Sequence, residues 1–210
     1  MNSSKLTVFS DALRSSAEQY DVVLDEQSIQ GLSSYYEFLN AWNARLHLVA
    51  PTSPSEFATR HVLESLTLLR YFDDRARVAD VGSGGGLPIL PCLIVKRDLR
   101  ATLIESSKKK VVFLREVLKE TDVADRATVV AERFENESAP DVEYITCRAI
   151  ERFVELIPVL IEWTPPNTKL LLFGGETLKA PLEDAGLTIK SDLMPNSDGR
   201  FLFVTRRPAD

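Results

Sequence analysis

The chain has 210 residues, enough for one sizeable hydrophobic core and a modest extension. Apolar residues make up 44% and charged residues 27%, an ordinary balance that excludes wholesale disorder. The net charge of −6 excludes a protein that coats nucleic acid by bulk electrostatics, although a local basic patch stays open.

The opening MNSSKLTVFSDALRSS has no apolar run of the kind that starts a signal peptide. The longest apolar stretch, Leu87 to Val95, carries two prolines and is too short to span a bilayer, so no membrane partner is expected. Two cysteines, Cys92 and Cys147, cannot build a disulfide framework and suit a reducing, cytoplasmic setting. Residues 1–74 read as a helical extension. Asp25 is the expected N-cap of a helix in which Leu32, Tyr35, Tyr36, Leu39 and Trp42 recur at helical spacing. The turn-rich PTSPSE, Pro51 to Glu56, ends it. Ser55 then opens a second helix with Phe57, His61, Val62, Leu66 and Leu69 inward.

From Arg77 the texture changes, and residues 75–210 read as one catalytic domain. Strands are expected at Val78–Val81, Ala101–Ile104, Ala127–Val130, Tyr144–Cys147, Leu170–Phe173, Thr188–Leu193 and Phe201–Thr205. Helical segments such as Lys109–Lys119 and Arg152–Trp163 separate the early ones, which predicts a doubly wound, mostly parallel sheet. Only the turn-forming PNSDGR lies between the last two strands, so they form an antiparallel edge hairpin. Seven strands ending in such a hairpin resemble the α/β layout of the Rossmann-like class I methyltransferases, here with an N-terminal helical extension added.

The strongest motif is VADVGSGGGLP, Val78 to Pro88. An apolar strand ends in Asp80, then Gly82, Ser83, Gly84 and Gly86 lead to a helix. Glycines there let the backbone turn sharply and approach a ligand with no Cβ in the way. A dinucleotide fingerprint needs a glycine where Leu87 stands. The pattern is instead (D/E)xGxGxG, the first motif of methyltransferases that use S-adenosylmethionine, and these residues are the expected cofactor cradle. Glu105, closing the next strand about 20 residues on, can accept both ribose hydroxyls. In AERFENE, Phe134 and Glu135 stand where such folds hold adenine; a solvated acidic turn is the other reading.

Cys147 lies in an apolar strand with no accompanying cysteine motif, so a packing role is preferred to a nucleophilic one. Two histidines and no cysteine cluster give no metal site, and His61 reads as a structural, hydrogen-bonded histidine. Trp42 and Trp163 read as core or cap aromatics. Lys108, Arg115 and Lys119 share one helical stripe, with Lys109 and Lys110 beside it. Arg133, Arg148 and Arg152 should converge near the same strand ends, with Arg45 and Arg60 as a second wall. Phosphate contact and a solvated helix face are both open for these cations.

These residues together resemble the RsmG (GidB) small-subunit rRNA guanine-N7 methyltransferases. The likeness runs through AWNARLHL (Ala41 to Leu48), Arg60-His61, Glu64-Ser65-Leu66, DVGSGGGLP, LIESSKKKVVFLREV, ERFE and TCRAI, over roughly residues 35 to 155. It implies S-adenosylmethionine as methyl donor, no metal, and donor contacts at Gly82, Leu87, Glu105, Phe134, Glu135 and Arg148, the last a positioning group. It implies 16S rRNA or the small ribosomal subunit as partner rather than DNA, the family target guanine-527, and a monomer. RNA contacts are then expected at Lys108, Lys109, Lys110, Arg115, Arg133 and Arg60. Two departures stand out: the family's NLT is His47-Leu48-Val49, and its Lys-Gly after the fifth strand is Gly174-Gly175. A guanine N7 carries a free lone pair and loses no proton, so no general base is needed. A fold that binds donor or RNA without turnover, or acts on a non-RNA substrate, is the alternative.

Overall fold

The computed structural model describes residues 3–148 and 153–208. Helix α1, Ser3–Ser16, is followed by α2, Glu26–Leu46, which is capped as expected: the Asp25 carboxylate accepts from Ser28 N–H at 2.7 Å. Leu32, Tyr35, Tyr36 and Leu39 are buried along α2, while Trp42 is half-buried. The next helical stretch is capped by Ser53 rather than Ser55. Pro54 occupies the first helical position, where its fixed φ and missing N–H cost nothing, so the hydroxyl just before it takes Glu56 N–H at 3.2 Å. This stretch runs through α3, Pro54–Glu56, a π-helical segment Phe57–Leu63, α4, Glu64–Leu66, and a 3₁₀ end at Thr67–Tyr71.

The remaining elements alternate: β1 Arg77–Val81, α5 Ile89–Val95, β2 Arg100–Ile104, α6 Lys108–Glu120, β3 Ala127–Val130, β4 Tyr144–Arg148, α7 Phe153–Trp163, β5 Lys169–Gly174, α8 Lys179–Asp184, β6 Lys190–Leu193 and β7 Phe201–Arg206. One seven-stranded sheet results, in the order β3-β2-β1-β4-β5-β7-β6. Strands β1 to β5 pair in parallel, and β7 runs antiparallel to both β5 and β6, forming the expected edge hairpin. Strand β6 starts at Lys190, not Thr188. The carbonyl of Thr188 instead accepts from Thr205 Oγ1.

Because both faces are covered, the central strands are almost continuously apolar. One face packs with α5, α6 and the N-terminal helices into a single core; the other packs with α7 and α8. The helices ahead of the sheet thus share their core with it. Phe38, Trp42 and Phe113 form an aromatic seam joining α2 to α6. Cys147 is fully buried in the second core, the packing position expected of it. No helix among the described residues is long and apolar enough to cross a membrane.

Candidate active site

The order reversal between β2-β1 and β4-β5 opens a crevice at the carboxyl ends of the strands, where doubly wound sheets hold ligands. A cleft of about 510 Å³ lies there, floored by Gly82, Glu105 and Phe134 and walled by Lys110, Arg133 and Glu135. The turn after β1 is built by hydrogen bonds from its own backbone. Gly82 and Ser83 N–H groups both donate to the Ile104 carbonyl, at 2.9 and 3.1 Å, and Gly86 N–H donates to Ser83 O at 2.6 Å. Gly82, Gly84 and Gly86 have φ of 73°, 51° and 86°, values that L side chains resist. A Cβ on Gly84 would meet only Gly82 O, at 3.7 Å, so the space over it is open.

Glu105 directly follows β2, with only 7% of its surface exposed. One carboxylate oxygen accepts from Gly84 N–H at 2.9 Å and the other from Ser107 N–H at 2.7 Å. The acid is thereby fixed in the cleft floor with lone pairs to spare. Asp80 is fully buried beneath the turn. Its Oδ1 accepts from Thr146 Oγ1 at 2.7 Å and its Oδ2 has no partner, while Ser83 Oγ closes on the Asp80 carbonyl. Burial pushes the Asp80 carboxyl up to about 7. Phe134 packs edge-on against Trp163, ring centroids 5.4 Å apart, and Trp163 Nε1 donates to Glu137 O, clamping that turn to α7.

Of the predicted donor contacts, Gly82, Glu105, Phe134 and Glu135 line the cleft; Asp80 and Ser83 are buried under the turn, and Gly84 and Gly86 stand outside the lining. Leu87 is buried in the core beneath the turn and does not line the cleft. Arg148, at the end of β4, also points away from it. Its guanidinium donates to Glu64 Oε2 at 3.1 Å and to Arg60 O at 2.8 Å, and lies over the Phe173 ring. The buried Glu64 carboxylate draws it toward the helical extension, and also pairs with Arg200 at 2.8 Å. The hydrogen bonds expected of His61 are not formed: it sits beside this group with both ring nitrogens buried and unpartnered, and burial pushes its imidazole down to about 3, so it stays neutral.

The predicted cations fall into two sets. Lys108 and Lys109 are exposed in the first turn of α6, with Lys110 and Arg133 at the cleft wall and Arg115 exposed farther along. Arg60 lies on the other side, paired with Glu56 at 3.1 Å. Arg152 and the Ala149-Ile150 end of TCRAI lie outside the described residues. Among the described residues no group of three or more His, Cys, Asp or Glu side chains is placed to hold a metal.

A family model, rRNA small subunit methyltransferase G, matches residues 28–195. The chain belongs to this family. A ribosomal RNA small subunit methyltransferase G from Sorangium cellulosum is 38% identical over 170 residues, covering 78% of this chain and 71% of that protein. The fold is also that of an RNA methyltransferase from Salinibacter ruber in complex with S-adenosyl-L-homocysteine, with TM-score 0.54 and 18% identity over 77% of this chain and 95% of that one. It is equally that of the [4+2]-cyclase SpnF, TM-score 0.64 and 14% identity over 90% and 98%. Fold alone therefore leaves the chemistry open, and the family match supplies it.

As a member of the rRNA small subunit methyltransferase G family, the chain has a local peculiarity at Gly174. A Cβ there would stand 2.7 Å from Leu178 Cδ2, so a leucine fills the room beside the position where a lysine was expected. Sequence reading missed the supports: Tyr35, Thr146, Ser107 and the bracing role of Trp163. Each touches a site residue through folding rather than through a motif.

Proposed function

We propose that this chain transfers a methyl group from S-adenosylmethionine to N7 of a guanosine in small-subunit rRNA, with guanine-527 of 16S rRNA as the target. Residues 1–74 are then a helical extension and 75–210 the donor-binding catalytic region. The observation that carries the reading is the cleft that opens beside Gly82 at the start of the glycine turn, with Glu105 and Phe134 in its floor, in a chain of this family.

The residues present fit an adenosyl ligand. The open space over Gly84 takes a chain that a Cβ would displace. Glu105 has acceptor capacity left for ribose hydroxyls. Phe134 offers an apolar wall for adenine, and Glu135 a carboxylate beside it. When bound, the sulfonium supplies an electrophilic methyl group. The protein's part is to bring the nucleophile into line and to keep water out, with no side chain required to take a proton. Arg148 braces the β4 end through Glu64 and so positions the substrate side of the crevice. Lys108, Lys109, Lys110, Arg115 and Arg133 then hold RNA phosphates next to the cleft, with Arg60 on the opposite wall.

Incubation with methyl-labelled S-adenosylmethionine and 16S rRNA, or small subunits from a strain lacking the modification, tests this. Label recovered as N7-methylguanosine is the expected result; unlabelled RNA in both preparations overturns it. A second reading has one observation behind it. Leu178 against Gly174 replaces a cation close to the substrate side, which favours donor or RNA binding without turnover. Donor binding without any labelled product supports that reading.

A further inference from the structure

Helix α2 reaches the back of the glycine turn. A Cβ on Gly31 would stand 2.8 Å from Ile94 Cγ2, so the glycine is what lets α2 close on α5. One helical turn on, and on the same face, Tyr35 is fully buried and its hydroxyl donates to the Gly85 carbonyl at 2.8 Å. Burial pushes this phenol well above its ordinary range, so the oxygen keeps its proton and remains a donor. Leu39 and Leu48 press on the same residue, each 3.4 Å from where a Gly85 Cβ would be. Leu48 is held in place by Asn43, whose amide both accepts from Val49 N–H and donates to Val49 O at 3.0 Å. From the sheet side Glu105 takes the Gly84 N–H at 2.9 Å. Consecutive residues of the turn are gripped from opposite directions.

We infer that Tyr35 is a positioning residue of the methyl-donor site: through the Gly85 carbonyl it fixes the shape of the Gly84–Gly86 turn, so α2 is a working part of that site. This rests on the cleft being the donor site. Within a three-layer fold the turn needs no helix from outside the sheet's own crossovers to form. The hydroxyl adds a constraint that hydrophobic contact from Leu39 and Leu48 does not, because it orients one peptide group.

Tyr35→Phe removes one oxygen and keeps the ring. By titration calorimetry with S-adenosylhomocysteine, its Kd should rise about tenfold over wild type, the scale of one lost buried hydrogen bond. Amide hydrogen exchange over residues 82–87 of the unliganded variant should quicken while β1 and β4 keep their protection. A merely structural hydroxyl would lower Tm and leave both Kd and turn exchange at wild-type values, and that result overturns the inference. Should Tyr35→Phe fail to fold, Gly31→Ala moves α2 off Ile94 with Tyr35 intact. It should give the same weakening and faster exchange, and unchanged values again overturn the inference. A wild-type protein that binds no S-adenosylhomocysteine refutes the donor site itself; wild-type binding matched by the variant refutes only Tyr35's role.

Discussion

Thr146 Oγ1 donates to Asp80 Oδ1 at 2.7 Å across the β1–β4 seam, and the second carboxylate oxygen of Asp80 is buried without a partner. Burial raises this carboxyl to about 7 in the folded chain, with the Thr146 hydrogen bond opposing it. In the unfolded chain it titrates near its ordinary value of about 3.9. Folding therefore takes up a proton between these values. The stability so contributed is whole below about pH 4 and is lost as pH rises to about 7. Asp80→Asn stays neutral and keeps the oxygen that Thr146 needs. Relative to wild type, the variant should gain roughly 3 kcal/mol between about pH 5 and pH 8, read from urea midpoints. A wild-type-to-variant difference that does not change with pH would show that Asp80 is not the titrating group.

Gly84 combines a φ of 51° with open space above its α-carbon. Gly84→Val should therefore fold with a strain cost of about 1–2 kcal/mol and lose donor binding, since the new side chain fills the cradle. Calorimetry with S-adenosylmethionine checks this. A folded variant with wild-type affinity would mean that the ligand does not lie over this turn.

Much of this architecture was legible from the sequence, for reasons that are local. Strands such as Ala127–Val130 show in runs of β-branched residues, and the Asp25 cap shows in a residue type whose side chain satisfies N–H groups three positions on. The glycine turn and Glu105 were legible for the same reason, since each sits at the end of its own strand. Ser53 was passed over for Ser55 because two serines flank Pro54 and only backbone geometry chooses between them. What stayed hidden is non-local. Tyr35 and Gly85 are 50 residues apart, and Arg148 meets Glu64 across 84, so neither pairing leaves a trace in spacing. Arg148 looked free to reach the cleft because its buried counter-charge comes from a different layer of the fold.

Glu64 is 1% exposed and its two oxygens serve Arg148 and Arg200, tying the helical extension to β4 and to the start of β7. Glu64→Gln removes the charge at nearly constant shape and leaves the buried Arg148 guanidinium without its counter-ion. Loss of about 3 kcal/mol or more is expected, since an uncompensated buried charge costs more than a pair contributes. Urea denaturation measures it. A loss below about 1 kcal/mol would mean that water reaches the guanidinium and the pair behaves as a surface one.

Glu105 holds two backbone N–H groups of the cleft floor and keeps capacity for ligand hydroxyls. Glu105→Ala should weaken S-adenosylmethionine binding by about 1–3 kcal/mol, because the hydroxyls lose an acceptor and the turn loses an anchor. Ligand binding by calorimetry decides, and unchanged affinity would remove Glu105 from the donor site.

Lys109 and Arg115 are exposed on α6, and neither has a role in the core, so reversing both charges leaves the fold intact. If this face carries RNA phosphates, Lys109→Glu with Arg115→Glu should weaken 16S rRNA binding at every salt concentration. The dependence of log Kd on log salt should also become shallower by about 1–2, the change for two lost phosphate contacts. Donor affinity should stay at the wild-type value, because Glu105 and the glycine turn are untouched. The salt slope separates this from general charge repulsion: repulsion without lost contacts lowers affinity and leaves the count of displaced counter-ions near its original value. A wild-type slope in the double variant would place the RNA on another face, with the exposed Arg60 as the next cation to reverse.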